Sequence, residues 1–109
     1  MGEERDRIYR NHILRAIEGI ETFTAGMDFE AFAMDLKTQL AVTRELEIIG
    51  EASKRFSPEF KDLHGSIPWR RIAGMRDFLI HDYMQVDLKE VWKAATEGIP
   101  ELKLALERK

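Results

Sequence analysis

The sequence predicts an all-α fold, a bundle of about five helices joined mostly by short connections. Apolar residues recur at helical spacing along almost the whole chain, and no stretch alternates long enough to predict a strand. Ser, Asp, Pro and Gly residues stand where these apolar runs begin or end, as helix-capping residues do. The 109 residues suit one domain, residues 1–109.

The first half of the chain predicts two helices. The first runs from about Arg5 to Thr24 and stops at Gly26. The second begins after the N-cap Asp28 and continues to about Phe56, which makes it about 40 Å long. Gly50 inside this second helix costs up to about 1 kcal/mol relative to alanine, so it predicts a close helix approach, within the subunit or between subunits.

The second half predicts shorter elements. Ser57 and Pro58 start a short helix that Gly65 ends. Pro68 starts the next helix, predicted from Trp69 to about His81. Asp87 and Glu90 have capping-box spacing before the following helix. Pro100 then kinks that helix or starts a last one, which ends near Arg108.

Composition excludes several classes of protein. The absence of cysteine removes disulfide scaffolds, thiolate metal sites and cysteine nucleophiles, and it fits a reducing cytoplasm. No apolar run approaches the roughly 20 residues of a membrane span, and the charged N-terminus MGEERDRIYR is unlike a signal peptide. We therefore expect a cytoplasmic protein without a membrane partner.

The net charge of −3 excludes a general basic coat for nucleic acid. Binding to nucleic acid would need a local patch, and the candidate is Arg70, Arg71 and Arg76. Arg70 and Arg71 could guide RNA or could simply lie on an exposed helix face. Both interpretations stay open at this stage.

Motifs for phosphate loops, zinc proteases and serine hydrolases are absent from the sequence. His12 on the first helix and His64 at a helix end both suit structural roles. The three histidines have no metal-ligand spacing, so we expect no metal site and no cofactor.

The stretch MRDFLIHDYMQVD holds the main candidate site, with Arg76, His81 and Tyr83 among apolar residues. On one ideal helix Arg76 and His81 diverge by about 140°. They converge only if the helix ends near His81 or if two copies of the motif meet in a dimer. Otherwise the stretch is an ordinary amphipathic helix end.

A histidine and an arginine suit phosphodiester cleavage in RNA. A histidine can take a proton from the ribose 2′-hydroxyl near neutral pH, and an arginine can brace the phosphate oxygens. Such a reaction needs no metal, leaves a 2′,3′-cyclic phosphate and spares DNA.

Four blocks of the sequence resemble one family in the expected order. They are ILRAIEGIE, AVTRELEIIGEASKRFS, IPWRRIAGMRDFLIHDY and VDLKEVWKAATEGIPEL. The pattern Arg76-Asp77 followed by His81 resembles the signature of the HEPN superfamily, and within it the chain resembles the HepT-like toxins, partners of minimal nucleotidyltransferase antitoxins.

The resemblance implies an antiparallel helix bundle that forms a homodimer, with two motifs in one composite cleft. It implies a metal-independent endoribonuclease toxin of a type VII-like toxin–antitoxin pair. Arg76 and His81 would cleave RNA and Asp77 would support them, although the family often has asparagine there and a carboxylate repels phosphate. Tyr83 would accept AMP from the antitoxin, which would silence the toxin.

The alternative is a non-catalytic helical module that docks a nucleotidyltransferase or a nucleotide on the same motif. The acidic pI and Asp77 favour this alternative. Cleavage of RNA by the free protein distinguishes the two hypotheses, because both share the same partner.

Overall fold

The computed structural model describes residues 2–74 and 87–107, and these residues confirm the all-α prediction. Within them every regular element is helical. The α-helices are α1 (Gly2–Thr24), α2 (Phe29–Ala33), α3 (Leu36–Ser53), α4 (Pro58–Leu63), α5 (Trp69–Ala73), α6 (Leu88–Lys93) and α7 (Ile99–Glu107), with a π-helical turn, Ala94–Gly98, between the last two. None of the described helices is both long and apolar enough to span a membrane.

Helices α1 and α3 form the antiparallel centre of the bundle. Gly19 in the second half of α1 lies against Glu45 in the middle of α3, whereas Asp6 near the start of α1 meets Ser57 beyond the end of α3. The apolar stripe of each helix faces the other and the C-terminal helices. The buried core includes Ile13, Ile17, Ile20, Phe32, Val42, Leu46, Ile49, Val91 and Leu106.

The turn after α1 follows the sequence prediction. Gly26 has φ +76°, a left-handed conformation that glycine adopts without steric cost. Asp28 then accepts a hydrogen bond from the backbone N–H of Ala31 at 2.9 Å, which confirms it as the N-cap of the next helix.

The prediction of one helix from Asp28 to Phe56 was wrong, because the helix is interrupted at Met34 and Asp35. Asp35 starts a new helix by accepting a hydrogen bond from the Thr38 N–H at 3.0 Å. The side-chain amide of Gln39 donates to the carbonyls of Phe32 and Ala33, which satisfies the open end of α2. These local caps stabilise two helices where apolar periodicity alone predicted one.

The predictions of helix starts at Ser57, Pro68 and Asp87 were correct. The Ser57 hydroxyl accepts from the Phe60 N–H, and Asp87 accepts from the N–H groups of Lys89 and Glu90. Helix α5 begins after Pro68 but ends at Ala73, with Gly74 as its C-cap, so the single helix predicted to reach His81 was wrong. Glycine is a poor helix former, which suits this ending.

The C-terminal helix contains the distortion predicted at Pro100. The Ile99 N–H bonds to the Ala94 carbonyl, five residues back, in the widened turn that precedes the proline. A proline ring clashes with the carbonyl four residues earlier, and the wider turn relieves that clash. The chain therefore continues into α7 and keeps Ile99, Leu102 and Leu106 buried.

Candidate functional site

The start of α5 is held by an aromatic cluster. The Trp69 ring lies 5.2 Å from the ring of Phe56, and Phe56 stacks on Phe60 at 4.1 Å between centroids. The indole N–H of Trp69 lies within hydrogen-bonding distance of the carbonyls of Lys61 and His64, at 3.3 and 3.2 Å. Because packing and hydrogen bonding both fix the indole, the direction in which α5 leaves α4 is set.

Arg70 and Arg71 follow Trp69 directly and are both exposed on α5. The anchored tryptophan therefore presents two guanidinium groups to solvent just before the predicted catalytic motif. This placement fits a role in guiding RNA and equally fits an exposed helix face, so the sequence prediction for these two residues stays open.

The predicted catalytic and modification residues, Arg76, Asp77, His81 and Tyr83, lie outside the described residues. The described residues on either side of them are Gly74, which caps the end of α5, and Asp87, which caps the start of α6. The roles of these four residues remain predictions from the sequence.

A groove of about 390 Å³ lies between α1 and the second half of α3. We call it the α1–α3 groove. Its floor includes Ile48 and Ala52. Side chains of three kinds form its walls: aromatic rings, guanidinium groups and carboxylates. These are Tyr9, His12, Arg44, Arg55, Glu47 and Glu51.

The two rings of the α1–α3 groove come from one face of α1. Tyr9 and His12 are three residues apart, and their rings meet edge to face with centroids 5.5 Å apart. Arg44 lies opposite and keeps 72% of its side chain exposed, while the Glu47 side chain is only 20% exposed. Their closest N–O distance is 3.5 Å, which is long for a charge-assisted hydrogen bond.

Sequence reasoning missed the α1–α3 groove and assigned His12 a structural role. A signal was present, because Arg44, Glu47 and Glu51 recur on one face of α3 at helical spacing and Arg55 continues that spacing just beyond it. The sequence does not show which residues of α1 face which residues of α3, so it did not predict that Tyr9 and His12 lie opposite those charges.

His64 occupies the structural position predicted for it. It is the C-cap of α4, and its ring lies 4.5 Å from the ring of Phe60. Among the described residues no group of three or more His, Asp or Glu side chains is placed to hold a metal ion.

Comparison with known proteins identifies the family. A model of the family described as "Ribonuclease HepT-like" matches residues 13–108. "Probable ribonuclease HepT" of Thermococcus cleftensis is 54% identical over 100 residues, which cover 92% of this chain and 91% of that protein. A protein named as a putative RNase in Caldanaerobacter subterraneus is 44% identical over 96 residues, covering 88% of this chain and 86% of that protein.

A further protein named as a putative RNase, from Methanocaldococcus jannaschii, is 42% identical over 96 residues, covering 88% of this chain and 83% of its own. No solved structure gives a significant match. The family match spans nearly the whole chain and includes α5 and the Arg76–His81 motif. The chain belongs to the HepT-like ribonuclease family.

Proposed function

We propose that this chain is a metal-independent endoribonuclease and the toxin of a toxin–antitoxin pair. The observation that carries the proposal is the family match over residues 13–108, within which the Arg76-x-x-x-x-His81 pattern lies. Names given to the relatives, "ribonuclease" and "RNase", support RNA as the substrate.

In the proposed reaction His81 is the general base. It takes the proton of a ribose 2′-hydroxyl, and the freed oxygen attacks the adjacent phosphorus. The bond from phosphorus to the 5′-oxygen of the next nucleotide breaks, leaving a 2′,3′-cyclic phosphate, and that 5′-oxygen takes up a proton. Arg76 donates hydrogen bonds to the non-bridging oxygens as their charge grows, with Asp77 in support.

The test is incubation of purified protein with RNA in EDTA, with analysis of the product ends. We expect cyclic phosphates, and we expect His81→Ala and Arg76→Ala to lose at least about a hundredfold in rate, as removal of a general base or an oxyanion donor does. His64→Gln is the matched control, because it removes a histidine that ends α4 and has no role in the proposed reaction, so it should keep the wild-type cleavage rate. Cleavage that survives equally in His81→Ala would refute the catalytic assignment.

The proposed active form is a homodimer, as the family resemblance implies, because two copies of the Arg76–His81 motif can meet across a two-fold axis in one composite cleft. Light scattering at working concentration should give twice the chain mass of 12.7 kDa. A mixed dimer that combines Arg76→Ala with His81→Ala should recover part of the cleavage rate. An active monomer would contradict the proposal.

The proposed control is transfer of AMP to Tyr83 by a minimal nucleotidyltransferase antitoxin. The added phosphate would place negative charge beside Arg76 and compete with RNA. Incubation with that partner and ATP should add AMP mass to the wild type and to Tyr9→Phe, but not to Tyr83→Phe. Binding to the partner without cleavage by the free protein would favour a docking module, to which the negative charge of Asp77 lends support.

A further inference from the structure

The α1–α3 groove has the chemistry of a nucleotide-binding surface. Stacking partners for a base stand on the α1 wall, where the rings of Tyr9 and His12 meet at 5.5 Å. Guanidinium groups, which form planar paired hydrogen bonds to phosphate, stand on the α3 wall as Arg44 and Arg55. The groove volume of about 390 Å³ gives room for a nucleotide between them.

The two arginines are spaced to follow a strand. Arg44 and Arg55 are eleven positions apart on α3 and the turn just after it, which is about three helical turns. That spacing is about 16 Å along the helix axis, so the two groups suit phosphates two or more nucleotides apart on one strand. The loose 3.5 Å contact from Arg44 to Glu47 and the 72% exposure of the Arg44 side chain leave that guanidinium accessible.

The carboxylate of Glu47 gives the groove a means of selecting bases. It lies between the two arginines along α3, and its side chain is 20% exposed. A carboxylate accepts hydrogen bonds from base amino groups, such as N4 of cytosine, whereas at that position uracil presents an oxygen that repels the carboxylate and offers only its ring N3–H as a donor. The negative charge also makes the groove a poor site for phosphate at its centre.

One end of the groove is next in sequence to the residue that packs on the start of α5. Arg55 at one end of the groove is followed directly by Phe56, whose ring contacts Trp69, the first residue of α5. Arg70 and Arg71 are exposed immediately after Trp69.

We propose that the α1–α3 groove binds a stretch of single-stranded RNA and favours bases that carry an amino group. Tyr9 and His12 stack on a base, Arg44 and Arg55 bind two separate phosphates of the strand, and Glu47 accepts from the amino group. The inference rests on the proposed function for the identity of the strand and adds a substrate-binding surface outside the motif.

The test measures binding separately from cleavage. Full-length protein carrying His81→Ala is titrated with fluorescein-labelled octanucleotides of cytidine, adenosine or uridine, as RNA and as DNA, and with AMP. Arg44→Ala with Arg55→Ala should weaken binding of the cytidine RNA about tenfold and lower the salt dependence of log affinity by about 1.4. Arg7→Ala with Lys89→Ala removes the same charge outside the groove and should do neither.

Glu47→Gln should reduce the preference for cytidine over uridine RNA, while Glu3→Gln, an exposed carboxylate on α1, should leave it unchanged. Equal binding by the groove and control double variants would overturn the inference, and so would AMP binding without strand binding. If groove variants weaken RNA binding while wild-type protein cleaves no RNA, the proposed ribonuclease function fails and the groove stands. If wild-type protein cleaves RNA and groove variants bind it normally, the reverse holds.

Discussion

The two ends of α1 are attached to the bundle by different chemistry. Near its start, the 7%-exposed Asp6 accepts hydrogen bonds from the N–H and the hydroxyl of Ser57 at 2.7 and 2.6 Å. Arg10 donates twice to the carbonyl of Leu106. Near its other end, an exposed ion pair joins Glu21 to Lys103 at 3.0 Å. The first end depends on buried polar contacts and the second on apolar packing with a solvated pair.

This difference decides which contacts specify the fold. A buried acceptor that loses its partner pays the full cost of desolvation, so the contacts of Asp6 oblige α1 and α4 to meet in one register. A solvated pair gains little, because water competes for both charges. The start of α1, which also carries Tyr9 and His12, is therefore the end that positions the α1–α3 groove.

The largest effect is expected at Asp6. Asp6→Ala leaves the N–H of Ser57 without its acceptor and frees the hydroxyl that caps α4, so the free energy of unfolding should fall by about 1–3 kcal/mol. Urea denaturation of this variant and of Glu3→Ala, an exposed carboxylate on the same helix, measures the difference. Equal stabilities of the two variants would show that the start of α1 is not held by this contact.

A smaller effect is expected at Arg10. Its guanidinium satisfies the carbonyl of Leu106 at the open end of α7, with N–O distances of 3.0 and 2.8 Å. Arg10→Ala should lower the free energy of unfolding by about 1–2 kcal/mol and speed amide exchange in the last turn of α7. Arg7→Ala, which removes an exposed arginine that lies 3.8 Å from Glu4, is the control. Unchanged exchange in Arg10→Ala would contradict the role of Arg10.

The sequence predicted where helices start better than it predicted where a helix is interrupted. Start signals at Asp28, Ser57 and Asp87 were readable because a cap acts within three residues of itself. The break at Asp35 was not predicted, although Asp35 caps Thr38 three residues away, because apolar spacing continues across it and the Gln39 amide that satisfies the end of α2 acts from six or seven residues away. Helix caps were therefore predicted well where they agreed with the apolar period, and the helix break was missed where a cap and the apolar period disagreed.

The candidate functional residues also differ in whether the sequence alone could reveal them. The Arg76–His81 pattern and Tyr83 were found from sequence because they lie within one short stretch. The α1–α3 groove joins Tyr9 and His12 to Arg44 and Arg55, more than thirty positions away along the chain. Only the packing of α1 on α3 brings these side chains together, and apolar periodicity does not fix that register.

A pH-dependent effect on stability is expected where the second half of α1 packs on α3. Glu45 lies against Gly19, where an added Cβ would be 2.6 Å from its Oε2, and burial raises the pKa of its carboxyl above the ordinary value of 4.5. The folded state therefore binds more protons than the unfolded state from about that pH up to the raised value. The free energy of unfolding falls as pH rises through this window and stays lower above it.

Glu45→Gln should remove this fall, so the variant should gain stability relative to wild type on going from about pH 4 to about pH 7. Denaturant titrations at a series of pH values measure the change, and Glu47→Gln provides a carboxylate on the same helix for comparison. A wild-type curve that rises through the window as steeply as that of Glu45→Gln would show that burial of Glu45 carries no cost.

The smallest effect is expected from the exposed pair of Glu21 and Lys103. The hydrogen bond and the charge of Glu21 raise the pKa of Lys103, so the contribution of the pair is fully present below the ordinary value of 10.5 and is lost only at more alkaline pH. With the two side chains 49% and 36% exposed, Lys103→Ala should change the melting temperature at neutral pH far less than Asp6→Ala does. Salt should remove the remaining difference from wild type, because it screens exposed charges. If Lys103→Ala instead destabilised the protein as much as Asp6→Ala at every salt concentration, the two ends of α1 would be held equally tightly, and the contrast between buried and solvated contacts would fail for this helix.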